Sequence, residues 1–254
     1  MGKLKKKIAL VTGASRGIGR GIALALAREG AMVAVHYGTR RQEAEEVVRA
    51  IESGGGEAFA IGADLAASGG ITELYAALDD ALQRLTGAKQ LDILVNNAGI
   101  GQYATIRETT EESFDDVMGI YVKAPVFVIQ QALPRLRDGG RIINISSAAT
   151  RIAFPNLFGY SISKGAINTL TFVLAQELGA RGITVNAILP GLINTDMNAD
   201  TLSDPEGRRF ASGLSAFGRW GEPEDVADIA LFLASEASRW ITGQLIDASG
   251  GSRL

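Results

Sequence analysis

The sequence predicts an α/β fold, a parallel β-sheet with helices on both faces. Short, continuous apolar runs such as Ile8-Ala9-Leu10-Val11 alternate with longer amphipathic stretches through most of the chain. Strands apolar on both sides are buried on both sides, and parallel strands need a long crossover, usually a helix. The first run also opens into the glycine-rich turn Gly13-Ala14-Ser15-Arg16-Gly17-Ile18-Gly19, followed by a helical pattern. No composition shift, linker or repeat divides the chain, so one domain over residues 1–254 is expected.

Residues 7–12 form the first strand. After the glycine turn, Ile22, Leu24 and Leu26 carry a helix to Glu29, and Gly30 stops it. Residues 32–37 are the second strand. Residues 41–53 are helical, with Val47, Val48 and Ile51 as the apolar stripe and Gly54-Gly55-Gly56 as the stop. Residues 57–61 are the third strand. A helix over 71–85 turns Leu74, Leu78, Ala81, Leu82 and Leu85 inward. Residues 92–95 are a strand leading into Asn96-Asn97-Ala98-Gly99. A long helix covers 110–136, distorted at Pro125, which lacks an N–H to donate. Residues 141–145 and 183–188 are strands on either side of a helix over 156–178. Residues 190–219 are polar, broken by Gly and Pro, and fit no single element. A helix over 223–234 and a strand over 244–247 complete the pattern.

Composition excludes several chemistries. The chain has 254 residues, 46% of them apolar and 21% charged, with a net charge of −3, which argues against a nucleic-acid surface. Lys3, Lys5, Lys6 and Lys7 read as solvation of the first strand's entry rather than a membrane patch. With no cysteine there are no disulfides, thiol nucleophiles or thiolate metal sites. The single histidine, His36, leaves no Ser-His-Asp triad and no His-based metal site; its strand-end position suggests a structural role. No apolar run approaches the roughly 18 residues that span a bilayer, and no secretory signal pattern is visible. The expectation is a cytoplasmic protein with no metal, membrane or nucleic-acid partner.

Tyr160 and Lys164 stand four apart on a predicted helix, hence on one face. A nearby ammonium favours the phenolate and would bring Tyr160 toward a general acid/base range. In the glycine turn, Gly13 suits a tight reversal, Gly17 a close approach to pyrophosphate, and Gly19 close packing of helix on strand. The helix that follows offers free N–H groups to phosphate. Asn96-Asn97-Ala98-Gly99 falls at the sheet edge where ligands of open α/β folds sit. Asp64, after the third strand, is either an acceptor for a base amine or a turn residue.

Five motifs then occur in order: Thr12-Gly13-x-x-x-Gly17-x-Gly19, Asn96-Asn97-Ala98-Gly99, Ser147 thirteen residues before Tyr160, Tyr160-x-x-x-Lys164, and Pro190-Gly191. On these the chain resembles the short-chain dehydrogenase/reductase family, near its 3-oxoacyl carrier-protein reductase and glucose dehydrogenase members. The resemblance implies a Rossmann-like, doubly wound sheet of about seven parallel strands. It implies hydride transfer between a nicotinamide cofactor and a small-molecule ketone or secondary alcohol. Tyr160 would be the acid/base, with Lys164 lowering its pKa and binding the nicotinamide ribose, and Ser147 orienting the substrate oxygen. Gly13, Ser15, Arg16, Gly17, Ile18 and Gly19 would hold the cofactor with Tyr37, Arg40, Asp64, Leu65, Asn97, Ala98 and Gly99. Pro190, Gly191, Ile193 and Thr195 would complete its site, Thr195 on the carboxamide. Tyr121 stands where the family keeps an asparagine that holds a water linking the lysine to solvent, which leaves the relay open.

The second strand ends His36-Tyr37-Gly38 without a carboxylate, while Arg16, Arg40 and Arg41 lie close in sequence, so NADP(H) is favoured over NAD(H). An NAD-linked sugar or polyol dehydrogenase and a cofactor-binding protein of attenuated turnover are the alternatives. A lid near residues 191–218 is expected, with Met197, Leu202, Phe210, Leu214 and Phe217 as its apolar wall or as packing against the body. The resemblance also implies a homo-oligomer, usually a tetramer, using residues 110–136, 156–178 and 244–254.

Overall fold

Each short apolar run becomes a strand of a single sheet. A computed structural model describes residues 2–253. Leu254, at the end of the expected C-terminal interface, lies outside the described residues. The strands are β1 (Ile8–Val11), β2 (Met32–Tyr37), β3 (Glu57–Gly62), β4 (Leu91–Asn96), β5 (Leu136–Ile145), β6 (Thr184–Pro190) and β7 (Leu245–Ala248). They lie in the order β3-β2-β1-β4-β5-β6-β7, every neighbouring pair parallel.

The helices are α1 (Gly17–Arg28), α2 (Arg41–Ser53), α3 (Gly70–Thr86), α4 (Glu111–Met118), α5 (Ala124–Ala132), α6 (Phe158–Leu178), α7 (Ala199–Ser203), α8 (Pro205–Leu214) and α9 (Pro223–Ala234). Successive strand residues face opposite sides. Ala9 and Val11 therefore join one buried cluster with Ile22 and Leu26 of α1, Val47 of α2 and Leu233 of α9. Ile8 and Leu10 join the other, with Leu74 and Leu78 of α3, Val128 of α5 and Leu178 of α6. Strand order turns back between β1 and β4, so the loops after these strands open a crevice at their carboxyl ends. At the opposite rim the buried Asp92 carboxylate accepts from Ile8 N–H (2.9 Å), Lys7 Nζ (3.2 Å) and Arg137 Nη1 (2.7 Å).

The structure corrects the element map in three places. The expected helix over 110–136 is two helices joined by a π-turn, Gly119–Lys123, and it ends at Ala132. Ala124 N–H donates to Gly119 O, five residues back. Pro125 has no N–H for the carbonyl of Tyr121, its α-helical partner, so the extra residue is inserted just before it. Leu136 is not helical; it opens β5 and pairs with Leu91, and a register shift follows. Asp138, Gly139 and Gly140 belong to this irregular strand, which begins before the expected residue 141. Leu85, expected inward, is 55% exposed in the last turn of α3. The unassigned stretch contains α7 and α8. Among the described residues no helix is long and apolar enough to cross a membrane.

Candidate active site

A cavity of about 640 Å³ opens over the crevice between β1 and β4. Its nucleotide-like end is built by the turn after β1. Gly13 has φ +63°, a conformation that costs glycine little. The N-cap residue of α1, Arg16, makes no side-chain cap, whereas the side chains of Thr110 and Asp204 cap α4 and α8. The first-turn N–H groups of α1 and its positive dipole end therefore face the cavity without a side-chain partner, which suits phosphate.

The turn is braced from two sides. Thr12 Oγ1 accepts from Asn97 N–H (2.9 Å) and Ala98 N–H (3.1 Å). Asn97 Nδ2 returns bonds to Thr12 O (2.9 Å) and Gly13 O (3.0 Å). From the other side His36 Nδ1 accepts from Gly13 N–H (3.0 Å) while Nε2 meets Ala63 O (3.0 Å). Burial lowers the His36 pKa to about 4, so the ring stays neutral and bridges the two loops. Arg16 and Arg40 line the cavity, but each already holds a carboxylate: Arg16 Nη1 donates to Asp196 Oδ2 (2.7 Å) and Arg40 Nη1 to Glu43 Oε1 (2.9 Å). Asp64 also lines it, with Oδ1 accepting from Ala66 N–H (3.0 Å).

The other end gathers Ser147, Tyr160, Lys164 and Tyr121. β5 delivers two serines. Ser146 Oγ donates to Asn168 Oδ1 (2.6 Å) and is tied into α6, whereas Ser147 faces the cavity and its Oγ accepts from Ala149 N–H (3.1 Å). Tyr160 and Lys164 stand one turn apart on α6. Lys164 Nζ donates to Ile145 O (2.8 Å) and lies 4.2 Å from the Tyr121 ring centroid and 5.5 Å from that of Tyr160. The Tyr121 hydroxyl donates to Ile100 O, and its ring meets Tyr160 edge-on, centroids 5.2 Å apart at 84°.

The expected lowering of the Tyr160 pKa by Lys164 is not what this arrangement gives. Burial pushes the Tyr160 phenol up, and the neighbouring Ser147 hydroxyl pulls only partly against it. Burial likewise lowers Lys164 to about 7. Loss of water favours the neutral form of each group; Lys164 is buried, whereas Tyr160 is half-buried at the cavity wall. The break in the helix persists with a tyrosine at position 121.

Of the other expected cofactor residues, Ser15, Gly17, Ile18, Leu65, Ala98, Gly99, Pro190, Gly191, Ile193 and Thr195 all line the cavity. Two do not. A Cβ on Gly19 would meet Asn97 Nδ2 at 2.5 Å, so this residue packs α1 onto the turn. Tyr37 lies over Gly62 and belongs to the core side of the sheet. Met197, Phe210 and Leu214 line the cavity, but Leu202 and Phe217 do not, and Phe217 is 76% exposed. Sequence reasoning missed Asp196 as the partner of Arg16, and Tyr103, whose hydroxyl donates to Asn198 Oδ1 (3.3 Å) across the cavity mouth. The structural role expected for His36 from its strand-end position is what the structure shows, as a buried bridge between the loops after β1 and β3. Among the described residues no group of three or more His, Asp or Glu could hold a metal.

These features fit a dinucleotide: unbonded helix N–H groups, a backbone cradle at Gly13, guanidinium groups nearby and a proton-handling cluster at the far end. The chain matches the family model described as enoyl-(acyl carrier protein) reductase over residues 13–253. It is 41% identical over 261 residues to versicolorin reductase of Emericella nidulans, covering 98% of this chain and 97% of the relative. It is similar to the solved structure of LugOII, described as a promiscuous reductase catalysing keto-reduction at C1 during lugdunomycin biosynthesis. There the TM-score is 0.96 at 46% identity, covering 99% of this chain and 100% of that one. It is also similar to the angucycline C-6 ketoreductase LanV with bound NADP, with a TM-score of 0.95 at 48% identity over 98% of this chain and 96% of that one.

Proposed function

The chain belongs to the short-chain dehydrogenase/reductase family, and from that premise we propose that it is an NADPH-dependent ketoreductase acting on a ketone of a fused-ring aromatic scaffold. The observation that carries the reading is the meeting of Ser147, Tyr160 and Lys164 in one cavity with the phosphate-binding turn. A nicotinamide held there would supply the hydride for the carbonyl carbon. Tyr160 gives its proton to the carbonyl oxygen, and Ser147 Oγ–H holds that oxygen in place. Lys164, when charged, stabilises the phenolate left on Tyr160. Arg16 and Arg40 would take the 2′-phosphate by exchanging Asp196 and Glu43 for it. The α1 N-terminus would hold the pyrophosphate, and Asp64 the adenine amine.

The substrate class is supported by the names of the similar reductases and by a cavity wall that includes Tyr103, Phe154, Met197 and Phe210. Residues 191–218 act as the lid over it. The cytoplasm is the compartment this reading implies. A homo-oligomer, a tetramer as the resemblance implies, belongs to the same reading; its support is the exposure of the apolar side chains Phe127, Ile162, Phe172 and Val173 on α5 and α6.

The test follows NADPH and NADH oxidation against bicyclic and tricyclic aryl ketones and an acetoacetyl thioester. Turnover is expected with NADPH on the fused-ring ketones, and Tyr160→Phe should cost roughly 10² to 10⁴ in kcat. Preference for the thioester would move the substrate class, and preference for NADH would remove the cofactor assignment.

A further inference from the structure

Lys164 is the charged group of the site, yet its surroundings hold little to keep it charged. It is 5% exposed and takes part in no ion pair among the described residues. Its ammonium can donate three hydrogen bonds, and one goes to Ile145 O. Around it, α6 brings Tyr160, β5 brings Ser147, and the loop after β4 brings Tyr103. The π-turn brings Tyr121, and Asp116 of α4 lines the same cavity. The nearest aromatic face is that of Tyr121, with Nζ 4.2 Å from the ring centroid. An ammonium at that range is attracted by the ring's negative face, more so away from water.

Tyr121 is fixed for this task by three contacts that do not involve Lys164. Its hydroxyl points away and bonds Ile100 O. Its ring edge abuts Tyr160. Its Cε1 and Oη fill the space a side chain on residue 99 would need, 2.4 and 2.6 Å from a Cβ placed on Gly99. The hydroxyl is thus committed to the loop, and only the ring face is offered to the ammonium.

We propose that Tyr121 is a positioning residue: its ring face holds the Lys164 ammonium in the cavity, and its hydroxyl serves only to anchor the ring. The geometry stands independently of the reaction; its consequence for turnover rests on the ketoreductase reading. Removing the ring face withdraws support from the charged form, so Lys164 would become neutral at lower pH.

Two readouts separate the proposal from that reading. The first is competitive acetylation of lysines in the cofactor-free protein, with Lys164 labelling followed against pH by mass spectrometry. Tyr121→Phe keeps the ring face and should leave the midpoint where wild type has it. Tyr121→Leu and Tyr121→Asn remove it and should lower the midpoint by about one pH unit. The second is the basic limb of kcat/KM for ketone reduction, which should fall in step in the Leu and Asn variants and not in the Phe variant. An unmoved labelling midpoint in the Leu and Asn variants overturns the proposal. So does a Phe variant that moves as far as they do, because a retained ring, still set against Tyr160 and Gly99, would then not be what holds the ammonium. If wild type reduces no ketone, the function reading fails while the labelling still decides the role of Tyr121.

Discussion

Gly99 and Tyr121 occupy one volume between them. A Cβ at residue 99 would sit 2.4 Å from Tyr121 Cε1, and the ring has no free direction because Ile100 O holds its hydroxyl. Gly99→Ala should therefore cost about 1–3 kcal/mol of stability, and the cost should shrink in a Tyr121→Ala background. Urea unfolding of the two single variants and the double variant checks this; an additive double variant would place the strain elsewhere. His36 supports a second prediction at the same scale. Its folded pKa of about 4 lies below the ordinary 6.5 because of burial. Below pH 6.5 the unfolded chain binds a proton that the folded chain refuses. The stability is thus full above 6.5 and falls as pH drops toward 4, by up to about 1.4 kcal/mol per unit. His36→Asn cannot charge and should flatten the difference between unfolding free energies at pH 7 and pH 5. An equal slope in both proteins would show that His36 is not its source.

At the scale of elements, α3 and α5 are joined by one buried hydroxyl. Tyr75 is 1% exposed, donates to Val128 O at 2.6 Å, and has the Arg135 guanidinium 4.7 Å from its ring centroid. Tyr75→Phe keeps the ring and drops that bond, so it should lose about 0.5–1.5 kcal/mol with kcat/KM unchanged. A fall in activity would mean that this contact reaches the cavity. The elements were legible in sequence where one local pattern decides them. Apolar runs gave the strands, and the four-residue spacing put Tyr160 and Lys164 on one helix face. The helix over 110–136 misled because Pro125 marks a break without saying on which side the extra residue enters. Leu136 is apolar in either a helix or a strand, so its side of the boundary is decided by pairing with Leu91. The Arg16–Asp196 pair joins residues 180 positions apart, and no local pattern encodes it. The shift of Tyr160 and Lys164 toward neutrality is a property of burial, which spacing cannot report.

Across the whole molecule, apolar side chains on α5 and α6 remain in the open: Phe127, Ile162, Phe172 and Val173, each at least 40% exposed. With Trp240 at 96% exposure, they are expected to be covered by further copies of the chain. Light scattering should then report a mass several times that of the monomer, and Phe172→Glu with Val173→Lys should yield smaller species. A monomeric wild type would end that expectation. The parallel sheet also has a consequence for change over time. With every strand running one way, the cavity's groups hang from one rim, and Asp92 with its three donors holds the other. The two rims are a strand's length apart, at opposite ends of one sheet. One edge can be rewritten for a new ligand while the other goes on securing the register of β1, β4 and β5. The molecule has separate places for novelty and for inheritance.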